Sequence, residues 1–140
     1  MKKTTAFEKL LTSVFNIFFV LLIFLPFYFL IQGIFIKKLV LIGIFFCYNL
    51  IFIISSKNRC LGMMIMKTKY KKKYSKSQYF LYSIFYTLSF STLLFWIIFP
   101  FDLFLANMLL LQLPAVIFKK TTFHGYLAGN IMTVRINKVI

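Results

Sequence analysis

Four long tracts of apolar and aromatic residues dominate the sequence. They fill residues 10–36, 39–54, 79–99 and 101–118, and most of the lysines lie in the short stretches between them. The chain is 61% hydrophobic and its mean hydropathy is +0.90. It therefore has too little polar surface to cover its apolar bulk as a water-soluble globule. The sequence predicts an integral membrane protein built from helices.

Basic residues far outnumber acidic ones in this chain. The 17 Lys and Arg residues stand against Glu8 and Asp102 alone, which gives a formal net charge of +15. Because the basic residues flank the apolar tracts, they follow the pattern of the positive-inside rule and of binding to anionic lipid headgroups. Nucleic-acid binding is not expected, since no basic face lies on a soluble domain.

The N-terminal sequence imitates a signal peptide, because two lysines precede an apolar run. The run is longer than a typical signal-peptide core, and no small-residue cleavage site follows it. We therefore expect a retained first transmembrane helix. The two cysteines, Cys47 and Cys60, are too few for a disulfide framework, and with a single histidine they are too few for a metal site.

Breaks in the tracts divide the chain into four predicted spans. A helix needs about 20 mostly apolar residues to cross a hydrocarbon core of about 30 Å. Gln32 and Gly33 end the first tract, within which Pro26 is expected to kink the helix. The fourth tract is short and contains Asn107, Gln112 and Pro114, so that a full span and a re-entrant segment both stay open. The predicted spans are residues 10–32, 39–55, 79–99 and 103–118.

The distribution of basic residues predicts the orientation. A four-span topology places most basic residues on one side of the membrane: 3 at the N-terminus, 8 in loop 56–78 and 4 in tail 119–140. Only Lys37 and Lys38 lie on the other side. The positive-inside rule then places both termini in the cytoplasm of a cell with the protein in its inner membrane. We expect one membrane domain over residues 1–140.

The tail has the alternation of a half-buried strand. Met132, Val134 and Ile136 alternate with polar residues over residues 132–137. Because a lone strand leaves its backbone unpaired, we expect it to pair with residues 62–70 as a small cytoplasmic β-pair. The apolar run 61–66 is too short to span, and it fits a strand or an interfacial segment. The predicted fold class is an all-α membrane bundle of four spans with this β-pair.

Two segments resemble the RDD family of membrane proteins. Residues 57–63 (KNRCLGM) resemble the G-K-x-L-L-G-L segment that follows the family's second span, and residues 124–135 (HGYLAGNIMTVR) resemble its closing H-D-x-L-A-G-T-x-V-V-R. The order of parts also agrees, since a hairpin of spans, a basic glycine-containing loop, further spans and the closing motif follow one another. The residues that match the family motifs are Arg59, Leu61, Gly62, His124, Leu127, Ala128 and Gly129.

The charges that give the family its name are altered here. Lys9 and Asn16 have the spacing of the family's Arg and first Asp, and about two helical turns place both on one face. Gly125 stands where the closing motif has its Asp, and Tyr126 stands at the basic position that follows it in the family. The resemblance implies transport or ion homeostasis, but any ion handling that depends on these charges is expected to be lost in this chain.

Ionisable and polar groups near the spans are functional candidates because they are costly in a bilayer. Asp102 fits a helix N-cap or a proton or cation site. His124 fits a hydrogen bond that orders its own turn, since catalysis or metal binding would need partners. Asn107 and Gln112 fit hydrogen bonds between helices or a polar seam. The candidate polar or ion pathway consists of Lys9, Asn16, Asp102, Asn107 and His124.

The sequence contains no Ser/His/Asp set, carboxylate pair or phosphate-binding glycine loop, so we expect no enzymatic activity, metal or cofactor. Ser83, Thr87 and Ser91 fall four apart on one helix face, where such residues pack helices together or line a pathway.

The basic loop carries the strongest surface pattern, because clusters of four to eight basic residues beside a span bind anionic lipids. The same lysines also hold the loop on the cytoplasmic side. The leading function is transport or ion homeostasis by an RDD-like protein. The alternative is a non-transporting assembly or partner-binding subunit, whose partner is a membrane protein or a second copy of the chain. The predicted lipid-binding residues are Lys67, Lys69, Lys71, Lys72, Lys73 and Lys76.

Overall fold

The protein is described by a computed structural model that places residues 2–55, 59–94 and 106–136. These residues form two compact units, the first running to Lys69 and including the tail from Val134, and the second covering Tyr70–Thr133. In chain order the elements are α1 (Ala6–Leu30), α2 (Ile34–Ser55), α3 (Leu61–Ile65), β1 (Thr68–Tyr70), α4 (Lys76–Leu94), two π-helical turns (Asn107–Gln112 and Ala115–Lys119), α5 (Phe123–Leu127) and β2 (Thr133–Arg135).

Helices α1 and α2 are long and apolar enough to cross a membrane, and among the described residues they are the only helices that are. At about 1.5 Å per residue, the 25 residues of α1 extend over about 37 Å. Their apolar side chains are mostly exposed, since only 17% and 22% of the most apolar stretches of α1 and α2 are buried. The core helix of a soluble protein would be mostly buried.

The connection between α1 and α2 is shorter than the sequence predicted. Lys37 and Lys38 lie inside the first turns of α2, whereas they were expected in the loop before a span that begins at residue 39. Gly33 makes the turn with a φ of +90°, which a residue with a side chain rarely adopts. The Lys37 Nζ then lies 3.8 Å from the centre of the Tyr28 ring. Helix α1 continues through Pro26 to Leu30.

Three chain segments meet in the first unit. The Ile136 N–H donates to the Lys67 carbonyl at 2.8 Å, and the Arg135 N–H donates to the Lys2 carbonyl at 3.0 Å. An antiparallel bridge joins Lys3 to Val134. The segment before α1, the segment after α3 and the tail therefore lie side by side.

The predicted β-pair is confirmed, because β1 and β2 form a two-stranded sheet and Val134 is its buried residue. The strand interpretation of residues 61–66 is wrong. Leu61–Ile65 is a helix, because the chain must turn before it reaches β1, and Lys67 completes that turn with a φ of 51°.

The second unit packs α5 against α4 and against the second π-helical turn. Leu113 and Pro114 are α-helical and separate the two π-helical turns, and Pro114 has no N–H to donate to the helical ladder. Residues 95–105 lie outside the described part, so the predicted ends of the spans at 99 and 103 lie there as well. The described Asn107–Lys119 segment is apolar but shorter than α1 or α2.

The second unit repeats features of the first. Along the chain, each pair of long helical segments is followed by a five-residue helix and then by a three-residue strand. Helix α1 begins with a capping box between Thr5 and Glu8, and Ser75 forms the same reciprocal hydrogen bonds with Gln78 before α4. When Thr5 is aligned with Ser75, buried residues of α1 and α4 coincide at two pairs of positions. The pairs Asn16 with Tyr86 and Val20 with Phe90 are then all buried.

Candidate functional site

The Asn16 side chain is the polar centre of the first unit. It is 1% exposed, and its amide oxygen accepts hydrogen bonds from the Tyr48 hydroxyl and from the Gly62 N–H, both at 2.9 Å. Its amide nitrogen donates to the Cys60 sulfur at 3.2 Å. One side chain on α1 therefore binds α2 and the start of α3, and both lone pairs of its oxygen are used.

Gly62 allows this close approach of α3 to α1. A Cβ added there would lie 2.3 Å from the Thr12 carbonyl oxygen and 2.8 Å from the Asn16 Oδ1. Such distances are far below ordinary van der Waals contact, and the nearest atom belongs to backbone that cannot swing aside. The motif glycine is therefore required by packing against the helix that carries Asn16.

Cys60 is the N-cap of α3 and lies inside this cluster. Burial raises the pKa of its thiol, and the hydrogen bonds it accepts lower it by less. The thiol therefore stays protonated at neutral pH and is a poor nucleophile.

Glu8 joins the start of α1 to the tail strand. Its side chain caps α1 through the Thr5 N–H at 2.8 Å, and it forms a salt bridge with the Arg135 guanidinium. Glu8 is buried, whereas the Arg135 side chain is 50% exposed. The neighbouring Lys9 is half-buried and donates to the Thr4 hydroxyl at 2.6 Å. Lys9 and Asn16 therefore both belong to the first unit, each with a structural partner.

His124 is the corresponding centre of the second unit. Its ring stacks on Tyr86 with 4.6 Å between centroids, and its Nε2 lies 3.0 Å from the hydroxyl of Thr122, the N-cap of α5. Tyr82 contacts the same ring edge-on at 5.0 Å. Tyr86 corresponds to Asn16 when α4 is aligned with α1. Each of the two buried side chains contacts the second residue of the short helix in its own unit: Asn16 contacts Gly62 in α3, and Tyr86 contacts His124 in α5.

Glycines also fix the closing motif. Gly129 has a φ of +100°, and a Cβ there would lie 2.4 Å from the amide nitrogen of Gln78. A Cβ at Gly125 would lie 2.7 Å from the Thr121 hydroxyl and 3.0 Å from the Ile131 carbonyl oxygen. The position where the RDD motif has an aspartate therefore has little room for a side chain here, and Ala128 beside it is 2% exposed.

The amides of the fourth tract form a buried cluster with α4. The Asn107 amide nitrogen donates to the Ser89 hydroxyl at 2.8 Å and to the Thr92 hydroxyl at 3.1 Å. The Gln112 amide donates to the same Ser89 hydroxyl at 3.1 Å and accepts from the Phe123 N–H at 3.1 Å. Both amides thus connect the π-helical segment to its neighbours.

The hydroxyls predicted to share a face of α4 bind their own helix. Ser83 donates to the Tyr79 carbonyl and Thr87 donates to the Ser83 carbonyl, and both side chains are buried. Ser91 donates to the Leu88 carbonyl. Asp102 lies outside the described residues. Among the residues that are described, no group of three or more His, Cys, Asp or Glu side chains could hold a metal ion.

The basic loop divides between the two units. Lys67 and Lys69 lie in the first, and Lys71, Lys72, Lys73 and Lys76 lie in the second. All except the half-buried Lys69 are exposed, and the Lys72 Nζ lies 5.4 Å from the Tyr74 ring centre. Arg59, the basic residue of the first motif, donates to the Thr68 carbonyl at 3.1 Å and so supports β1.

Several residues of these clusters were not predicted from the sequence. Thr5–Glu8 and Ser75–Gln78 each have the spacing of a capping box, and that pattern would have identified both helix starts. Tyr48 and Tyr86 gave no such sign, because an aromatic residue in an apolar tract is normally read as packing. Comparisons with family models, with curated proteins and with solved structures found no match to this chain.

Proposed function

We propose that this chain is an RDD-like, four-span protein of the inner membrane that acts as a non-transporting assembly or partner-binding subunit. Membrane residence is supported by α1 and α2, whose length and exposed apolar side chains suit a bilayer. A helical hairpin with such a surface would leave many apolar groups in water if the protein were soluble. Contacts of the residues on both sides of α1 with the rest of the first unit support a retained first helix.

The four-span arrangement is supported by the meeting of three segments in the first unit. Backbone hydrogen bonds join the tail residues Val134–Ile136 to two other segments. These are Lys2 and Lys3 before α1, and Lys67 after α2. This arrangement supports an even number of membrane crossings between the first and second segments and again between the second and third. Helices α1 and α2 account for the first pair of crossings. We assign the second pair to α4 and the segment around Asn107–Lys119.

The RDD-like character is supported by steric requirements at two motif positions. At Gly62 an added Cβ would lie 2.3 Å from the backbone carbonyl oxygen of Thr12, and at Gly129 the φ of +100° is one that a residue with a side chain rarely adopts. A glycine is therefore needed at the same places where the family motifs have one. The positions equivalent to the family's first Asp and to its closing Asp are occupied by Asn16 and Gly125.

The observation that carries the non-transporting role is the complete use of the Asn16 oxygen. That oxygen is the atom that would replace a carboxylate oxygen as a cation ligand, and the Tyr48 hydroxyl and Gly62 N–H already occupy both of its lone pairs. Binding a cation there would break a buried hydrogen bond. Asn107 in the second unit likewise holds the π-helical segment to α4. The polar groups of the spans thus serve the fold.

The experiment is ion flux in proteoliposomes made from the purified protein, paired with a search for a stoichiometric partner. We expect no flux of protons, Na⁺ or K⁺ above that of empty liposomes, and a partner that co-purifies from mild detergent. The variants Asn16→Leu and Asp102→Asn separate the alternatives. Flux in the wild-type protein that either variant abolishes would contradict the proposal and establish a transporter.

A further inference from the structure

Two short helices expose the same pattern of side chains. In α3 and in α5, the first residue is half-buried, the second and third are buried, and the fourth and fifth are exposed. The exposed pairs are apolar in both helices. Met64 and Ile65 are 37% and 46% exposed, and Tyr126 and Leu127 are 43% and 45% exposed. The repetition of one exposed apolar pair in two units calls for a common physical cause.

Lysines accompany both pairs. The exposed Lys67 lies two residues after the end of α3, and the Lys119 Nζ lies 5.2 Å from the centre of the Tyr126 ring. Lys120 adjoins Lys119 at the end of the π-helical segment. An apolar pair beside ammonium groups suits the boundary between lipid headgroups and acyl chains, where aromatic and aliphatic side chains insert and lysines reach the headgroups.

The position of each helix in the chain agrees with that boundary. Helix α3 follows α2 after a connection of only residues 56–60, and α5 follows the apolar Asn107–Lys119 segment after three residues. An element so close to the end of a membrane-crossing segment is held near the level of the headgroups, because it can move only a few residue lengths away.

We infer that α3 and α5 are membrane-surface anchors. Met64 with Ile65, and Tyr126 with Leu127, enter the boundary between headgroups and acyl chains, and the adjacent Lys67 and Lys119 bind anionic headgroups. The inference rests on the membrane residence proposed above and adds the surface by which the two motif segments contact lipid. The buried faces of the same helices hold Gly62 and His124 against α1 and α4, so insertion would fix the motifs at a defined depth.

The test uses tryptophan fluorescence in the full-length protein. Trp96 is the single native tryptophan, so Trp96→Phe provides a dark background. Ile65→Trp and Leu127→Trp are then placed separately in that background and reconstituted into vesicles of phosphatidylcholine with phosphatidylglycerol. Phosphatidylcholine brominated near the top of its acyl chains serves as the quencher. Phe18→Trp on the exposed face of α1 is the embedded control, and Lys2→Trp at an exposed position beside the tail strand is the aqueous control.

We expect the Ile65→Trp and Leu127→Trp proteins to show blue-shifted emission and at least twofold stronger quenching than the Lys2→Trp protein. Adding Lys67→Gln to Ile65→Trp should abolish the gain in quenching that phosphatidylglycerol provides over phosphatidylcholine alone. Met64→Trp and Tyr126→Trp supply a second pair if either first variant does not fold.

Three results would overturn the inference in distinguishable ways. Quenching of Phe18→Trp without quenching at positions 65 and 127 would refute the anchors while membrane residence stands. Absence of quenching at position 18 as well would refute membrane residence itself. A blue shift at positions 65 and 127 that requires added cytosolic protein would assign the surface to a protein partner.

Discussion

The contact between Gly62 and α1 gives the sharpest test of the polar centre in the first unit. In Gly62→Ala, the new methyl group would lie 2.3 Å from the Thr12 carbonyl oxygen, so α3 and α1 must separate. Overpacking of this kind costs about 1–3 kcal/mol. Separation also breaks the hydrogen bond from the Gly62 N–H to the Asn16 oxygen, and a buried unsatisfied N–H costs about 1–3 kcal/mol.

The chain offers a matched control for this substitution. Gly43 lies in α2, and a Cβ there would have no atom within 4 Å. Gly43→Ala should therefore stabilise the protein by up to about 1 kcal/mol through helix propensity alone. The same propensity gain offsets part of the loss in Gly62→Ala, for which we expect a net destabilisation of about 2–4 kcal/mol.

The assay is reversible unfolding in mixed micelles, with sodium dodecyl sulfate as the denaturant and circular dichroism as the readout. The two alanine variants should shift the midpoint in opposite directions, with the larger shift in Gly62→Ala. A Gly62→Ala protein within about 0.5 kcal/mol of the wild type would refute the close packing of α3 on α1. Equal losses in both variants would show that alanine is tolerated poorly for reasons unrelated to this contact.

Two further predictions concern the first unit. Arg135→Met should destabilise the protein by about 1 kcal/mol, because Glu8 stays buried without its cation while the exposed half of Arg135 is screened by solvent. In a double-mutant cycle, Glu8→Gln should remove most of that loss, whereas the control Lys73→Met should cost under about 0.5 kcal/mol. Additive losses in the cycle would contradict the Glu8–Arg135 salt bridge. In a Cys47→Ser background, Cys60 should resist maleimide at pH 7–8 while the protein is folded, because burial raises the pKa of its thiol. The thiol should react once detergent unfolds the chain, and rapid alkylation of the folded protein would contradict the burial of Cys60.

The sequence predicted the strand pairing and two N-terminal helices long and apolar enough to cross a membrane, for clear physical reasons. Alternation over residues 132–137 identifies a half-buried strand, and Val134 is indeed its buried residue. The apolar tracts before the basic loop identify α1 and α2, although α2 begins at Ile34 because the turn needs only residues around Gly33. The position of Lys37 within α2 was not predicted, because hydropathy does not indicate the contact of its ammonium group with the Tyr28 ring.

The polar clusters were harder to predict. Asn16 was chosen for its spacing from Lys9, but its three partners, Tyr48, Cys60 and Gly62, are brought to it only by the folding of α2 and α3. No local sequence pattern indicates hydrogen bonds between residues so far apart in the chain. The helical state of residues 61–65 was also missed, because a run of five apolar residues has no periodicity that separates a helix from a strand.

The departures from the RDD pattern have a structural account. At Asn16, an amide supplies a donor to the Cys60 sulfur that a carboxylate could not supply, while the oxygen still accepts from Tyr48 and Gly62. At Gly125, the Thr121 hydroxyl and the Ile131 carbonyl fill the space that a side chain would need. Both positions are thus fitted to uncharged packing.

The most direct test of the proposed architecture is the topology of three positions in the cell membrane. Single cysteines are introduced by Lys3→Cys, Lys71→Cys and Lys120→Cys in a background that lacks both native thiols, and each is treated with a membrane-impermeant maleimide in inside-out and right-side-out vesicles. The account predicts that all three react only in inside-out vesicles, since the N-terminus, the loop and the tail share the cytoplasmic side. Labelling of Lys120→Cys from the opposite side would contradict the even number of crossings on which the four-span proposal depends.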